Sequence, residues 1–348
     1  MPTTGFLSQL DVVTNKKILP GLTDGLFRND PLLAYLKQNS LEKFSGNAIQ
    51  DNFIYGRLPG GFYSKGDAFD ITQPQTENGL TWLPRFAYVD VSLFLEDVEV
   101  TNAGPEAVIK LADSRLQQAA LNMSEILAIA QYRHGQNIAG DNRSTAIHGL
   151  SEGLNDGTNA SWDGNTFPNY GTVARNSVNS VLNSPMTAPT SNVNGVISYD
   201  ILERSYNGLV YGTEKPNLIV TTNLGMSYTK LKFQPAQRFE SDAPNIGFTG
   251  LKFNGAMIMQ SQYCPGTLGQ SVSNGNFLAS AGETMFFLNT KYLKFWVSTS
   301  AKFGFGFSGW KPAQDNNTIA GQYFYGGPGV TVTAGANRYH RQLFGITG

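Results

Sequence analysis

The chain has 348 residues, enough for one large domain or two ordinary ones with a proper core. Only 15% of residues are charged, against roughly 25% in a typical soluble protein, while 12% are aromatic and 38 are glycine, which predicts a neutral polar surface or one covered by other chains. A net charge of −1 excludes a nucleic-acid binder of the basic kind, and the lone Cys264 excludes an intrachain disulfide and a cysteine-based zinc site.

The opening stretch, MPTTGFLSQLDVVTNKK, has no apolar core of signal-peptide length, and no run of about 18 apolar residues follows. A soluble protein assembled in a reducing cytoplasm is expected. Residues 1–50 read as an extended arm with short helical pieces. Asp30-Pro31 starts one of them, PLLAYLKQNS, with Leu32, Leu33 and Leu36 on one side. One such helix makes no core alone, so the arm must lie on something.

Residues 51–100 differ in kind. Phe53–Tyr55 and Thr81–Leu95 are strand-like, the second alternating through Trp82, Phe86, Tyr88, Val89 and Val91. Between them lies a stretch heavy in Gly, Asp, Gln and Pro, with Phe62, Tyr63, Phe69 and Ile71 too few to build a separate core. This pattern predicts a long hairpin projecting from the body, which needs a surface to rest on.

Gly104 to His134 is a long amphipathic helix, roughly 45 Å at 1.5 Å per residue. Gly104 and Pro105 suit its start, Val108, Ala112, Leu116, Ala119, Met123 and Ala130 form one stripe, and Arg133, His134 and Gly135 suit its end. Residues 137–194 are almost a linker by composition, with one helix expected around Val173–Leu182. A second helix is expected over 196–211, and Leu218–Thr222 reads as a strand buried on both faces. Met226–Phe233 reads as a helix or turn, and Phe248–Gln260, Thr284–Leu288 and Leu293–Ser298 as strands. The last 45 or so residues alternate apolar and polar and end on Leu343-Phe344.

No catalytic, cofactor or metal site is predicted. His134, His148 and His340 stand far apart, with no HExxH or HxH spacing. Glu96, Asp97 and Glu99 share one strand, where solvation is a simpler account than a glycosidase pair. Gly304-Phe-Gly306-Phe307 lacks a third glycine and a following helix, so phosphate cradling is unsupported.

Taken in this order, the pieces resemble the major capsid protein of tailed phages, the Hong Kong 97-like fold, over essentially the whole chain. Pro31-Leu-Leu33, His148-Gly-Leu150, Tyr170-Gly-Thr-Val-Ala-Arg175, Pro216-Asn-Leu-Ile-Val220 and Gln342-Leu-Phe-Gly-Ile346 carry the likeness. The resemblance implies an α+β fold with an N-terminal arm at 1–50 and an extended loop with flanking strands at 51–100. A spine helix and peripheral-domain segment then occupy 101–194, an axial domain 195–300, and closing peripheral-domain strands 301–348. It implies no enzyme activity and no cofactor, but pentamers and hexamers of identical chains closing into an icosahedral head around double-stranded DNA. A portal protein, a separate scaffolding protein or none, and in some relatives decoration proteins are the implied partners. Certain relatives cross-link a loop lysine to a peripheral asparagine, for which Lys65 and Asn316, Asn317 or Asn337 are the matching types. An encapsulin, which shares the fold and holds enzymes, and a β-rich sugar-binding or hydrolytic protein are the rival readings.

Charge is also unevenly spread: residues 51–100 hold 3 Lys/Arg against 8 Asp/Glu, and 301–348 hold 4 against 1. In the resembled fold the extended loop lies across a neighbour near its peripheral domain. Phe62, Tyr63, Lys65, Asp67 and Asp70 are therefore expected to contact a basic surface carrying Arg338 and Arg341.

Overall fold

The computed structural model describes residues 30–94, 105–176, 178–187, 191–232, 240–242, 249–267, 282–313 and 317–348. Helix α1 (Pro31–Asn39) begins on Asp30, whose carboxylate accepts the N–H groups of Leu32 and Leu33. Its Leu32, Leu33 and Leu36 are fully buried in the chain's own core, so this part of the arm packs on its own subunit. Strand β1 (Leu41–Phe44) continues it. A hairpin of β2 (Ile49–Ile54) and β3 (Glu77–Trp82) follows, then β4 (Arg85–Phe94) and the long helix α2 (Pro105–Ala130).

The chain next runs through β5 (Asn192–Val196), α3 (Tyr199–Asn207), β6 (Leu218–Thr221), α4 (Asn223–Lys232), β7 (Glu240–Asp242), β8 (Thr249–Phe253) and β9 (Ala256–Gln260). It closes with β10 (Glu283–Leu288), β11 (Leu293–Ser298), β12 (Gly304–Phe307), β13 (Lys311–Pro312), β14 (Thr318–Gly327), β15 (Val330–Val332) and β16 (Arg341–Thr347).

Three sheets hold all of these strands but the β2-β3 hairpin, which is a two-stranded sheet of its own. A seven-stranded sheet runs β7-β8-β9-β6-β10-β16-β5, with β6 parallel to β9 and antiparallel to β10. As its apolar run predicted, β6 is buried on both faces: Leu218 and Val220 enter the larger core, and Ile219 enters a second core beneath α3 and α4. In a second sheet β14 pairs with β12 and β13 on one side and with β4 on the other. A small third sheet, β1-β11-β15, joins the arm to the body.

Several elements differ from the sequence expectation, among them the helix expected over 196–211, which runs only Tyr199–Asn207 while Val196 ends a strand. The spine helix ends at Ala130, four residues short of His134, because the next turn tightens and Gly149 lies against its last carbonyls. A Cβ at Gly149 would sit 2.5–2.6 Å from the carbonyl oxygens of Ala130, Gln131 and Arg133, and the Leu150 N–H donates to Gln131 O at 2.7 Å. Val173–Leu182 is not a helix but a two-residue strand, Val173–Ala174, followed by one 3₁₀ turn, Ser180–Leu182. There Asn176 Oδ1 accepts the Asn179 N–H at 2.8 Å and Asn179 Nδ2 donates to Ala174 O, the local bonding through which asparagine competes with a helix.

The projecting hairpin is ladder-paired only from Ile49–Ile54 to Glu77–Trp82, and the 22 residues between are loop. The closing strands divide, with 304–327 in the sheet with β4 and Arg341–Thr347 paired to β10 and β5 in the seven-stranded sheet. The 301–348 segment is therefore not one block of strands. Asn254-Gly255, both at positive φ (48° and 88°), makes the tight turn between β8 and β9 within the expected Phe248–Gln260 stretch.

Candidate assembly interface

The loop at 55–76 leaves the body between two pinned ends. The N–H groups of Tyr55 and Gly56 both donate to Thr76 O, and lower down Asp51 accepts the Ala334 N–H at 2.8 Å and faces Lys294 at 3.6 Å. Beyond the pin, Leu58, Phe62, Tyr63, Phe69 and Ile71 are all exposed, Ile71 at 91%. Apolar side chains gathered in this way gain stability only against another surface.

The tip is ordered by its own polar groups. Ser64 N–H donates to Asp67 Oδ2 at 2.6 Å and Asp67 N–H to Ser64 O at 3.0 Å, with Lys65 and Gly66 at the turn. Tyr63 and Phe69 meet edge-to-face at 5.0 Å across the base of that turn. Asp70 accepts the Thr72 N–H at 3.0 Å, and this bond holds its carboxyl below the ordinary value. Lys65, Asp67 and Asp70 are all exposed, so the tip carries mixed charge into solvent.

The basic residues expected to receive it lie elsewhere. Arg341 is buried: its Nε donates to Pro185 O at 3.1 Å, and desolvation brings its pKa down to about 10. Arg338 is half-buried between the rings of Tyr211 and Tyr339, at 5.3 and 5.0 Å, and donates to the Tyr339 hydroxyl. Arg341 is thus an internal tie rather than part of an open basic surface. The reason is physical: the carbonyls of Pro185 and of Ser205 in the last turn of α3 lie off any ladder, and the guanidinium donates to both. Of the candidate cross-linking asparagines, Asn337 is fully buried and donates to Gly153 O, Asn317 is exposed, and Asn316 lies outside the described residues. Glu96, Asp97 and Glu99 lie outside them too.

Two other guanidiniums, Arg133 and Arg143, line a groove beside Arg85, but Arg133 is buried and Arg143 is held by Asp141. Sequence reading missed them as a set, because 48 and then 10 positions separate them and no motif joins them. His134, expected as a helix cap, instead pairs with Asp141 at 3.1 Å, and Arg143 holds the same carboxylate. His148 pairs with the buried Glu152 at 2.5 Å, and that charge partner helps hold Glu152 below its ordinary value despite desolvation. These are internal side-chain pairs with nothing substrate-like between them. Among the described residues no cluster of metal-ligating side chains occurs, and no helix is long and apolar enough to cross a membrane.

A long helix laid against layered sheets makes an α+β fold that is shared with solved capsid and encapsulin subunits. The capsid subunit of cyanophage A-1(L) superposes with a TM-score of 0.56 at 10% identity, covering 90% of this chain and 93% of that one. The capsid of an empty GTA particle gives 0.51 at 10% identity over 90% and 89%. The SrpI encapsulin of Synechococcus elongatus PCC 7942 gives 0.50 at 9% identity over 90% and 87%. No family model and no curated protein matches the sequence. The likeness is one of fold, preserved where sequence identity is near background.

Proposed function

We propose that this chain is the major capsid protein of a tailed phage, a structural subunit without catalytic activity. Identical copies form pentamers and hexamers, and these close into an icosahedral head around double-stranded DNA. The observation that carries the reading is the end-to-end match to a phage capsid subunit, 90% of one chain on 93% of the other. The stranded apolar loop is the local feature that accords with it, since an obligate interface of about 2,000–5,000 Å² gives such residues their burial. The other partners under this reading are a portal protein, a separate scaffolding protein, decoration proteins and non-specific contacts to the packaged DNA. The particles are assembled in the cytoplasm of a bacterial host.

The encapsulin match favours one second reading, a protein-filled bacterial compartment. Negative-stain microscopy of the expressed chain, alone and with a scaffolding candidate, tests the shell itself. Closed particles of uniform size are expected, and a species that stays near 37.8 kDa at high concentration overturns the proposal. Nuclease-protected double-stranded DNA inside native particles separates a phage head from a compartment holding a cargo protein.

A further inference from the structure

Three segments distant in sequence close on a cavity of about 300 Å³. They are the 3₁₀ turn at Ser180–Leu182 with the residues after it, the stretch following α3, and the turn before β16. Ser180, Asn183, Pro185, Tyr211 and Arg338 line it. That volume lies at the lower end of the range for small-molecule sites, roughly 300–1,000 Å³.

Of the lining residues only Arg338 carries a charge, and among the described residues no carboxylate pairs with it. Its Nη2 donates to the Tyr339 hydroxyl at 2.9 Å, and the rings of Tyr211 and Tyr339 flank the guanidinium. Nε is buried without an acceptor, and Nη1 donates to no protein atom among the described residues. A cation walled by rings binds an oxyanion more strongly than one in open water, because its charge-assisted bonds form where water is partly excluded. The guanidinium is planar and matches a carboxylate, and with no second cation in the lining a monoanion balances its charge.

Asn183 sets a second requirement. Its Oδ1 is buried and also lacks a partner. An ionised carboxylate only accepts hydrogen bonds, so a simple acid leaves this acceptor unpaired. A ligand that carries an O–H donor next to its carboxylate satisfies both groups. An ammonium in that place would meet the charge of Arg338 with no acid nearby to receive it, so the donor is a hydroxyl.

We propose that this cavity binds a small 2-hydroxy carboxylic acid, with its carboxylate on Arg338 and its hydroxyl donating to Asn183 Oδ1. The half-exposed ring of Tyr211 supplies the apolar wall for the carbon chain. The site is contained in one chain, so it goes beyond the shell reading and stands whether or not that reading does.

Equilibrium dialysis of the expressed full chain against radiolabelled lactate tests it, since the method reads free subunits and particles alike. One saturable site per chain is expected. Propionate, which lacks the hydroxyl, should bind at least about fivefold more weakly, and lactamide, which lacks the charge, should not compete. Arg338→Gln should weaken lactate at least about tenfold, and Asn183→Ala should bring lactate and propionate within about twofold of each other. Because Arg338 also packs between two rings, Ser180→Trp at an exposed position is the companion variant. It fills the cavity and should weaken lactate at least about tenfold with circular dichroism unchanged. No saturable uptake by about 50 mM lactate overturns the proposal, as does phosphate displacing lactate better than propionate does. Lactate binding that both Arg338→Gln and Ser180→Trp leave intact places the ligand elsewhere and overturns the site. Uptake by free subunits that vanishes in particles assigns the cavity to an acidic side chain of a neighbouring chain and overturns the small-molecule ligand.

Discussion

Asp30→Ala removes four hydrogen bonds that join three distant segments. In the folded chain Asp30 Oδ2 accepts Leu32 N–H and Leu33 N–H at 3.1 Å and Gln131 Nε2 at 2.8 Å, and Oδ1 accepts the Ser261 hydroxyl. The arm helix, the end of the spine and the turn after β9 thus meet on one carboxylate that is fully buried. Losing a helix cap costs about 0.5–2 kcal/mol. Leaving a buried donor without an acceptor costs about 1–3 kcal/mol, and both Gln131 and Ser261 are buried. Together the change costs about 3–8 kcal/mol, a large part of a typical 5–15 kcal/mol margin. Asp30→Asn keeps one acceptor oxygen for the cap and is expected to cost about 1–2 kcal/mol.

The pH dependence has its own sign. Burial raises the Asp30 pKa above its ordinary value, outweighing the four hydrogen bonds that lower it. The folded state therefore binds this proton more tightly than the unfolded one. Its stabilising contribution is present in acid and is lost as pH rises through the folded value. The advantage of the wild type over Asp30→Asn should accordingly be largest in acid and shrink toward neutral pH. Urea titration of the unassembled subunit, followed by fluorescence of Trp82, Trp162, Trp296 and Trp310, measures both effects. An Asp30→Ala cost under about 1 kcal/mol would refute the three-way tie.

Leu116, 1% exposed at mid-spine, should not tolerate proline: Leu116→Pro costs about 3 kcal/mol or more, and capsomers of normal size in gel filtration would contradict the spine's role. Replacing residues 57–75 with a short Gly-Ser turn should leave the circular dichroism of the subunit unchanged and abolish stable shells, so intact shells would make the loop mere surface. Gly306→Ala would set a Cβ 1.9 Å from Ala301 O, so a large fall in Tm is expected, and a Tm within about 2 °C of wild type would contradict that packing. His340, pushed down to about 3 by burial, contributes stability above its unfolded pKa that is lost as pH falls toward the folded value. Its ring resonances should stay flat between about pH 5 and 8, and a titration there would place it in contact with water.

The parts legible in the sequence are those written in a regular period. The apolar stripe through Leu116, Ala119 and Met123 specified a long helix, and the continuous run at Leu218 specified a strand covered on both faces. Asp30-Pro31 announced a helix start because capping chemistry is local. The contacts of Arg341 were not legible, since net charge along a chain says nothing about which guanidinium is drawn inside. The helix stop at Ala130 depended on Gly149, nineteen positions on, pressing against its carbonyls. The groove beside β4 is equally non-local, being made by a strand, a helix end and a loop that meet only when folded.

The linker-like composition of residues 137–194 misleads for a related reason. That stretch has few ladders, so carbonyls in and beside it need side-chain donors, which come both from within the stretch and from the closing segment. Arg175 donates to the carbonyls of Phe167, Leu182 and Glu152, Trp162 to Tyr132 O, Asn337 to Gly153 O and Gln342 to Leu154 O. A buried side chain that closes such a bond adds about 1 kcal/mol and forfeits more if removed, so several act as mortar between spine, sheet and closing strands. The positive charges of the C-terminal segment are partly consumed in this work, since Arg341 is drawn inside to Pro185 O. Polar groups turned inward hold the body, while apolar groups on the loop are turned outward. That inversion accords with the proposed association of identical copies, in which a neighbour would complete one stretch.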